Sequence, residues 1–270
     1  MAGRRTAWRA AYELLALRVR RPEWAFMNYG WAPTADGGRD LDLSAQEEPD
    51  RLAINLYERT IDGTDLSGRD VLEVGSGRGG GSLYVARHHG PRSVVGLDFS
   101  AAAIKLCRRH RVAPGLQFVR GDAQAMPFAD ASFDAVLNVE SSHCYPSFPA
   151  FLAEVRRVLR PGGVLMFADF RPTEAVPDLL AELRATDLVV ERHDDITAHV
   201  VAALRSDDAR KRELIGAWLP RFTHPAMRRF AAVEGSTSFD GFASGRTSYV
   251  VARLTAPTPD RHHPRKDLAP

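Results

Sequence analysis

The chain has 270 residues, 44% hydrophobic and 26% charged, a globular composition that excludes a disordered, collagen-like or disulfide-stapled protein. Lysine and arginine number 36 against 34 acids, a net charge of +2, which makes no electrostatic case for nucleic-acid binding. The two cysteines, Cys107 and Cys144, form no disulfide framework, the N-terminus lacks an export signal, and no apolar run reaches the roughly 18 residues of a membrane span. A cytoplasmic protein with no integral membrane association is therefore expected.

Residues 1–48 read as an N-terminal helical arm or lid. Within it, residues 6–20 place Trp8, Tyr12, Leu15 and Val19 on one helical face among arginines. Such a helix either caps the main domain or rests on a membrane or lipid-like substrate, and the sequence leaves both open. A loop rich in Gly, Asp and Pro runs from Gly30 to Pro49, and residues 50–62 show a helical stripe of Leu52, Leu56 and Tyr57. Five short apolar runs follow, at 71–75, 93–98, 116–119, 133–139 and 164–170. Runs of this kind suit strands buried on both faces of a parallel sheet. Helices at 101–110, after the N-cap Ser100, and at 148–160 alternate with them, which predicts a doubly wound α/β sheet with right-handed crossovers. Beyond it come a helix near 174–186, a strand at 188–192, helices at 197–206 and 208–219, and a last strand at 248–254. The tail after Thr255, with four prolines and several charges, reads as disordered.

The strongest local signal is VLEVGSGRGGG at 71–81, where a strand runs into five glycines in seven residues. Glycines there allow a sharp turn and a close ligand, and the next helix, expected near Ser82, turns its first N–H groups to the crevice. Gly75, Gly77 and Gly80 match the dinucleotide pattern G-x-G-x-x-G, with Asp98 21 residues past Gly77. Charge separates the candidates. Four acids, Glu73, Asp98, Asp122 and Glu140, fall at the carboxyl ends of the predicted strands, where such sheets bind ligands. They would repel a pyrophosphate and suit the sulfonium and ammonium of S-adenosylmethionine. At about 6 Å and an effective dielectric near 20, each pair is worth roughly 3 kcal/mol before desolvation.

Chemistry assigns the roles. Asp98 can accept from both ribose hydroxyls, and Phe99 offers a plate for the adenine ring. Asp122 and the Ala123 N–H can read the adenine edge. Glu73 and the backbone near Asn138 suit the methionine ammonium, and Arg78 either pairs with the carboxylate or is exposed. Tyr29, with Asn28 and Gly30, is placed as a cover over the cofactor.

With these residues assembled, the chain resembles the class I S-adenosylmethionine-dependent methyltransferases. The motifs stand in order: ExGxGxGG at 73–80, GLD at 96–98, GDA at 121–123, FDAVLNVES at 133–141 and LRPGG at 159–163. The resemblance implies a Rossmann-like, doubly wound, seven-stranded and mostly parallel sheet. It also implies S-adenosyl-L-methionine as cofactor, S-adenosyl-L-homocysteine as product, and Gly75, Gly77, Asp98, Asp122 and Asn138 as cofactor residues. Ser76 stands within the same loop and is counted with them. A narrower likeness covers FMNYG at 26–30, NLYERT at 55–60, LNVESSHCY at 137–145 and FLAEVRRVLRPGG at 151–163. These segments are similar to the actinobacterial O-methyltransferases of phthiotriol and phenolphthiotriol dimycocerosates. Ser76 and Arg78 depart from the Cys and His frequent there.

The resemblance divides the chain into the arm (1–48), a methyltransferase domain (49–255) with a helical insertion at about 197–230 shaping the acceptor pocket, and the tail (256–270). The expected reaction is O-methylation of a hydroxyl on a hydrophobic secondary metabolite: a lipid, polyketide or glycoside. N- or carboxyl-methylation, and a non-methylating S-adenosylmethionine-binding protein, stand as alternatives. Attack by an aliphatic hydroxyl calls for a general base. His143, just past the fourth strand, is the candidate, with Glu140 to orient it or to position the cofactor. No histidine pair stands among carboxylates at metal-ligand spacing, so no metal is expected. Oligomeric state is left open, a homodimer being one option.

Overall fold

Strands that are apolar along their whole length need cover on both sides, and the architecture supplies it. The computed structural model describes Glu13, Val19, residues 21–33 and residues 41–258. The helix expected at 6–20 and all but the first three residues of the expected tail lie outside the described residues, apart from Glu13 and Val19. Seven strands form one sheet: β1 (Asp70–Val74), β2 (Ser93–Asp98), β3 (Leu116–Arg120), β4 (Phe133–Val139), β5 (Leu159–Pro172), β6 (Val189–Asp195) and β7 (Thr247–Thr255). Their order is β3-β2-β1-β4-β5-β7-β6, parallel except for β7, which runs antiparallel between β5 and β6. The helices are α1 (Arg51–Ile61), α2 (Gly80–His88), α3 (Ala101–His110), α4 (Phe148–Val158), α5 (Val176–Arg184), α6 (Thr197–Ser206), α7 (Asp208–Trp218), α8 (His224–Phe230) and α9 (Thr237–Ala243).

The pleat sorts β1 between two cores. Val71 packs with Ile54, Leu56, Leu137 and Val200 on one face. Leu72 and Val74 pack with Phe151, Leu152, Leu165 and Leu183 on the other. Local signals fix the helix starts. Ser100 Oγ accepts from the Ala103 N–H at 3.1 Å, and Ser147 Oγ from the Ala150 N–H at 3.2 Å, with Pro149 in the first turn of α4.

Some expected boundaries move. Helix α2 starts at Gly80 rather than near Ser82, and β5 starts at Leu159, so the LRPGG turn belongs to the strand. Its pairing with β4 slips between Phe133 and Ala135, where the turn adds residues. Helices α8 and α9, of seven residues each, are too short to show a helical period and were not anticipated. The sequence order of the strands reverses between β1 and β4, and the crevice beyond their carboxyl ends is where an open α/β sheet holds a ligand.

Gly81 sets how closely α2 meets α1, since a Cβ there would fall 2.0 Å from the Tyr57 ring. Gly81→Ala is expected to destabilise the fold by about 1–3 kcal/mol through overpacking. A lower urea midpoint at unchanged slope would be the measurement.

Candidate active site

The crest of the sheet is assembled from four strand ends. After β1 the chain turns at Gly75 (φ 80°), whose missing side chain is required, because a Cβ would lie 2.3 Å from Ser141 Oγ. The Gly75 and Ser76 N–H groups donate to the Leu97 carbonyl at 2.8 and 2.9 Å, tying the loop to β2. At the end of β2, buried Asp98 accepts from the Gly77 N–H at 2.9 Å through one oxygen and from the Ser100 N–H at 2.8 Å through the other. Phe99 follows it, half-buried. Past β3, Asp122 Oδ1 accepts from the Gln124 N–H and its side-chain amide at 3.0 and 3.1 Å, beside buried Ala123.

Glu73 lies beneath the loop. It is 1% exposed, and Tyr57 Oη donates to one oxygen at 2.6 Å while the Ser82 hydroxyl donates to the other. Burial pushes its carboxyl up to about 7, against those hydrogen bonds. Its charge is thus muted, and both oxygens already serve the protein.

Arg78 is buried, not exposed. It is 3% exposed and donates through Nε to the Trp24 carbonyl at 2.5 Å and through Nη2 to the Arg21 and Val19 carbonyls at 2.7 and 3.1 Å. Its guanidinium also stands 4.9 Å from the centre of the Trp24 ring. The Gly80 N–H donates to the Ala25 carbonyl at 3.2 Å, so residues 21–25 cross the glycine loop as a belt.

Beyond β4 the groups converge. Asn138 is fully buried and donates to the Val74 carbonyl at 2.8 Å, with Ser141 Oγ and Tyr145 Oη at 2.7 and 3.0 Å. Glu140 adopts φ 45°, and its Oε1 accepts from the Tyr29 N–H at 2.7 Å and Tyr249 Oη at 2.9 Å. Burial raises the Glu140 carboxyl to about 7. His143 sits on a short 3-10 turn at Ser142–Cys144, its ring 24% exposed. Its Nδ1 lies 2.8 Å from Oδ1 of Asp169, its N–H donates to Oδ2 of the same carboxylate at 2.9 Å, and its ring packs 4.3 Å from that of Phe170. Burial alone would lower the His143 imidazole, but the charge and hydrogen bond of Asp169 carry it up to about 10. Asp169, fully buried at the end of β5, is held well below the ordinary carboxylate range by His143 and Arg171 against the cost of burial. Arg171 Nη1 is 3.2 Å from it, and the Ser142 hydroxyl donates to it at 2.5 Å.

The structure thus brings Tyr29, Glu140 and His143 together, the Tyr29 N–H on Glu140 and the Phe170 ring packed against both Tyr29 and His143. Asp98, Phe99, Asp122 and Ala123 lie on neighbouring strand ends, with Glu73 under the loop between. Sequence reasoning missed Asp169, Tyr249 and Tyr57. The signal for Asp169 was present: an acid inside VLMFADF, a run that reads as buried on both faces, needs a partner.

Of the buried polar atoms with no hydrogen-bond partner among the described residues, two stand at the crest, Ser76 Oγ in the loop and Asn138 Oδ1 at the end of β4. A hydroxyl and a carbonyl left open there suit the ammonium and carboxylate of an amino-acid moiety, and the acids of the crest suit a sulfonium. The residues fit S-adenosylmethionine.

Comparison with known proteins agrees. A family model described as a methyltransferase domain matches residues 72–167. The fold and this match define a class I S-adenosylmethionine-dependent methyltransferase, and the chain belongs to that family. Within it, the chain is 45% identical over 242 residues to the phthiotriol/phenolphthiotriol dimycocerosates methyltransferase of Mycobacterium tuberculosis strain H37Rv, covering 90% of this chain and 89% of the other. It is 38% identical over 240 residues to the fatty-acid O-methyltransferase of Mycolicibacterium smegmatis, covering 86% of each. Among solved structures, the [4+2]-cyclase SpnF superposes with a TM-score of 0.66 at 20% identity over 93% of this chain and 95% of the other. Geranyl diphosphate C-methyltransferase from Streptomyces coelicolor A3(2) gives 0.62 at 18% identity over 91% and 98%. Both share the fold. Among the described residues no helix is long and apolar enough to cross a membrane.

The His143–Asp169 pair makes stability depend on pH. The raised imidazole contributes stability that is complete below its ordinary value of 6.5 and lost as pH rises toward about 10. The depressed carboxyl contributes stability that is present above its ordinary value of 3.8 and lost as pH falls. The urea midpoint of Asp169→Asn should therefore fall furthest below wild type between those two ordinary values, and the gap should narrow without closing as pH approaches 10, because Arg171 and Ser142 still hold the carboxylate. In the variant, the imidazole proton resonances should titrate well below their wild-type midpoint.

Proposed function

We propose that this methyltransferase acts in the cytoplasm on a hydroxyl of a hydrophobic small-molecule acceptor, with His143 taking the proton. The observation that carries the reading is the His143–Asp169 pair, linked through the Phe170 ring to Tyr29, which lines a largely apolar cleft. Two relatives named for lipid substrates, phthiotriol dimycocerosates and fatty acids, support an acceptor with a long apolar body.

The cofactor, when bound, supplies an electrophilic methyl group on a sulfonium. In this reading Asp98 receives the ribose hydroxyls, Phe99 covers the adenine, and Asp122 with the Ala123 N–H reads its edge. Gly75, Ser76 and Gly77 admit the amino-acid moiety, which Ser76 Oγ and Asn138 Oδ1 complete. Glu73 contributes through the loop it braces, and Tyr29 closes the site from the side of the arm. Glu140 holds Tyr29 and Tyr249 in register with that site.

Asp169 occupies Nδ1 of His143, so the ring is fixed in one orientation and Nε2 is the atom left for chemistry. A positive charge beside the ring disfavours imidazolium, which brings His143 toward its neutral, proton-accepting form in the loaded site. Nε2 then receives the hydroxyl proton, and Asp169 stabilises the imidazolium that results. Holding the acceptor oxygen in line accounts for much of the rate, since orientation supplies roughly 7–11 kcal/mol in favourable cases.

Asp98→Ala should weaken S-adenosylmethionine binding at least tenfold by calorimetry, and an unchanged affinity would remove Asp98 from the site. With a long-chain alcohol as acceptor, His143→Ala should slow single turnover by about 10²–10⁴ while cofactor affinity stays within twofold. A single-turnover rate within twofold of wild type would reduce His143 to a packing role.

A further inference from the structure

The cleft lined by Tyr29 has a cavity volume of about 110 Å³ and lies between residues 21–30, the start of α1, and helices α7 and α8. Its walls are dominated by apolar side chains, Phe26, Leu52, Leu214, Ile215, Trp218 and Met227 among them. Charged residues Glu23, Asp50, Asp207 and Arg210 also line it, and Lys211 on α7 stands among them. Its side chain is 13% exposed, and Nζ has no hydrogen-bond partner among the described residues. The carboxylate paired with it, Asp207, comes no closer than 3.9 Å and is already held by Arg210 through Nε at 2.6 Å and Nη2 at 2.9 Å. Asp50 faces Arg210 at 3.6 Å, and Glu140, whose charge also reaches Lys211, commits Oε1 to Tyr29 and Tyr249.

An ammonium buried without a hydrogen bond is costly even with a carboxylate 3.9 Å away, and the cost is relieved when an anionic oxygen reaches it. We propose that the cleft takes a long-chain acceptor bearing a carboxylate, and that Lys211 pairs with that carboxylate. An ion-paired carboxylate is a poor nucleophile, so the anchored chain offers a hydroxyl, rather than the anchor itself, to His143. The inference rests on reading the cleft as the acceptor site.

Trp24 and Trp218 line the same cleft, so their fluorescence reports its occupancy. Full-length protein saturated with S-adenosylhomocysteine would be titrated with laurate and with methyl laurate. Lys211→Met should weaken laurate binding at least tenfold and leave methyl laurate within twofold, whereas Lys211→Arg should keep laurate within about threefold. Equal affinity of wild type and Lys211→Met for laurate, equal loss of both ligands, or no binding of laurate by wild type would overturn the assignment. S-adenosylhomocysteine affinity checks the fold of each variant, and Lys211→Gln replaces Lys211→Met if that affinity is lost. Wild-type methylation of a neutral long-chain alcohol would persist if the Lys211 anchor alone were wrong, and would be absent if the hydroxyl reading itself failed.

Discussion

Asp169 holds a negative charge at the end of β5 with no exposure to solvent, and groups from two stretches of chain compensate it. The His143 ring and main chain, the Ser142 hydroxyl and the Arg171 guanidinium all reach it. Leaving one such charge unpaired in a buried site costs several kcal/mol, so the turn after β4 has little freedom to settle elsewhere. The fixed turn places the imidazole, and Phe170, the residue after the acid, packs against that ring and against Tyr29. One buried carboxylate thereby joins strand, turn and arm into a single arrangement.

The acids of the crest divide by environment. Asp98 spends both oxygens on backbone N–H groups. Glu73 and Glu140 are raised by burial to about 7, where a small local change in charge moves a proton. A cationic ligand favours the ionised form of each, so binding of such a ligand and the loss of protons from these carboxyls reinforce one another. The same environment penalises an anion, which would find these carboxyls protonated at best and repulsive otherwise. Cofactor preference is in this sense a property of how deeply the acids are set, beyond their number.

The alternating frame was legible because each strand and its helix satisfy their own local rules. The run from β1 to α4 follows from apolar blocks punctuated by Gly75–Gly81, Ser100 and Ser147. What escaped were contacts between distant residues. Nothing near Arg78 indicates that it will grip the carbonyls of Val19, Arg21 and Trp24, more than fifty positions earlier. Tyr249 reaches Glu140 across 109 residues and Tyr57 reaches Glu73 across 16, and a tyrosine in an apolar context carries no mark of the acid it will meet. The seven-residue helices α8 and α9 left no periodic trace for the same reason that they are weak alone: two turns bury too little to impose a pattern.

The insertion of β7 between β5 and β6 has a consequence for how the molecule is made. β6 is bonded to the sheet only through β7, and β7 follows it after four intervening helices. As the polypeptide emerges from the ribosome, β6 has no partner until the next fifty residues have been synthesised. The edge of β5 stays open for longer still, and its apolar row is meanwhile available to other chains. Closure of this half of the sheet is therefore a late event of high contact order, and crowding during biosynthesis bears on it more heavily than on the β3-β2-β1-β4 half, whose pairings are nearer in sequence.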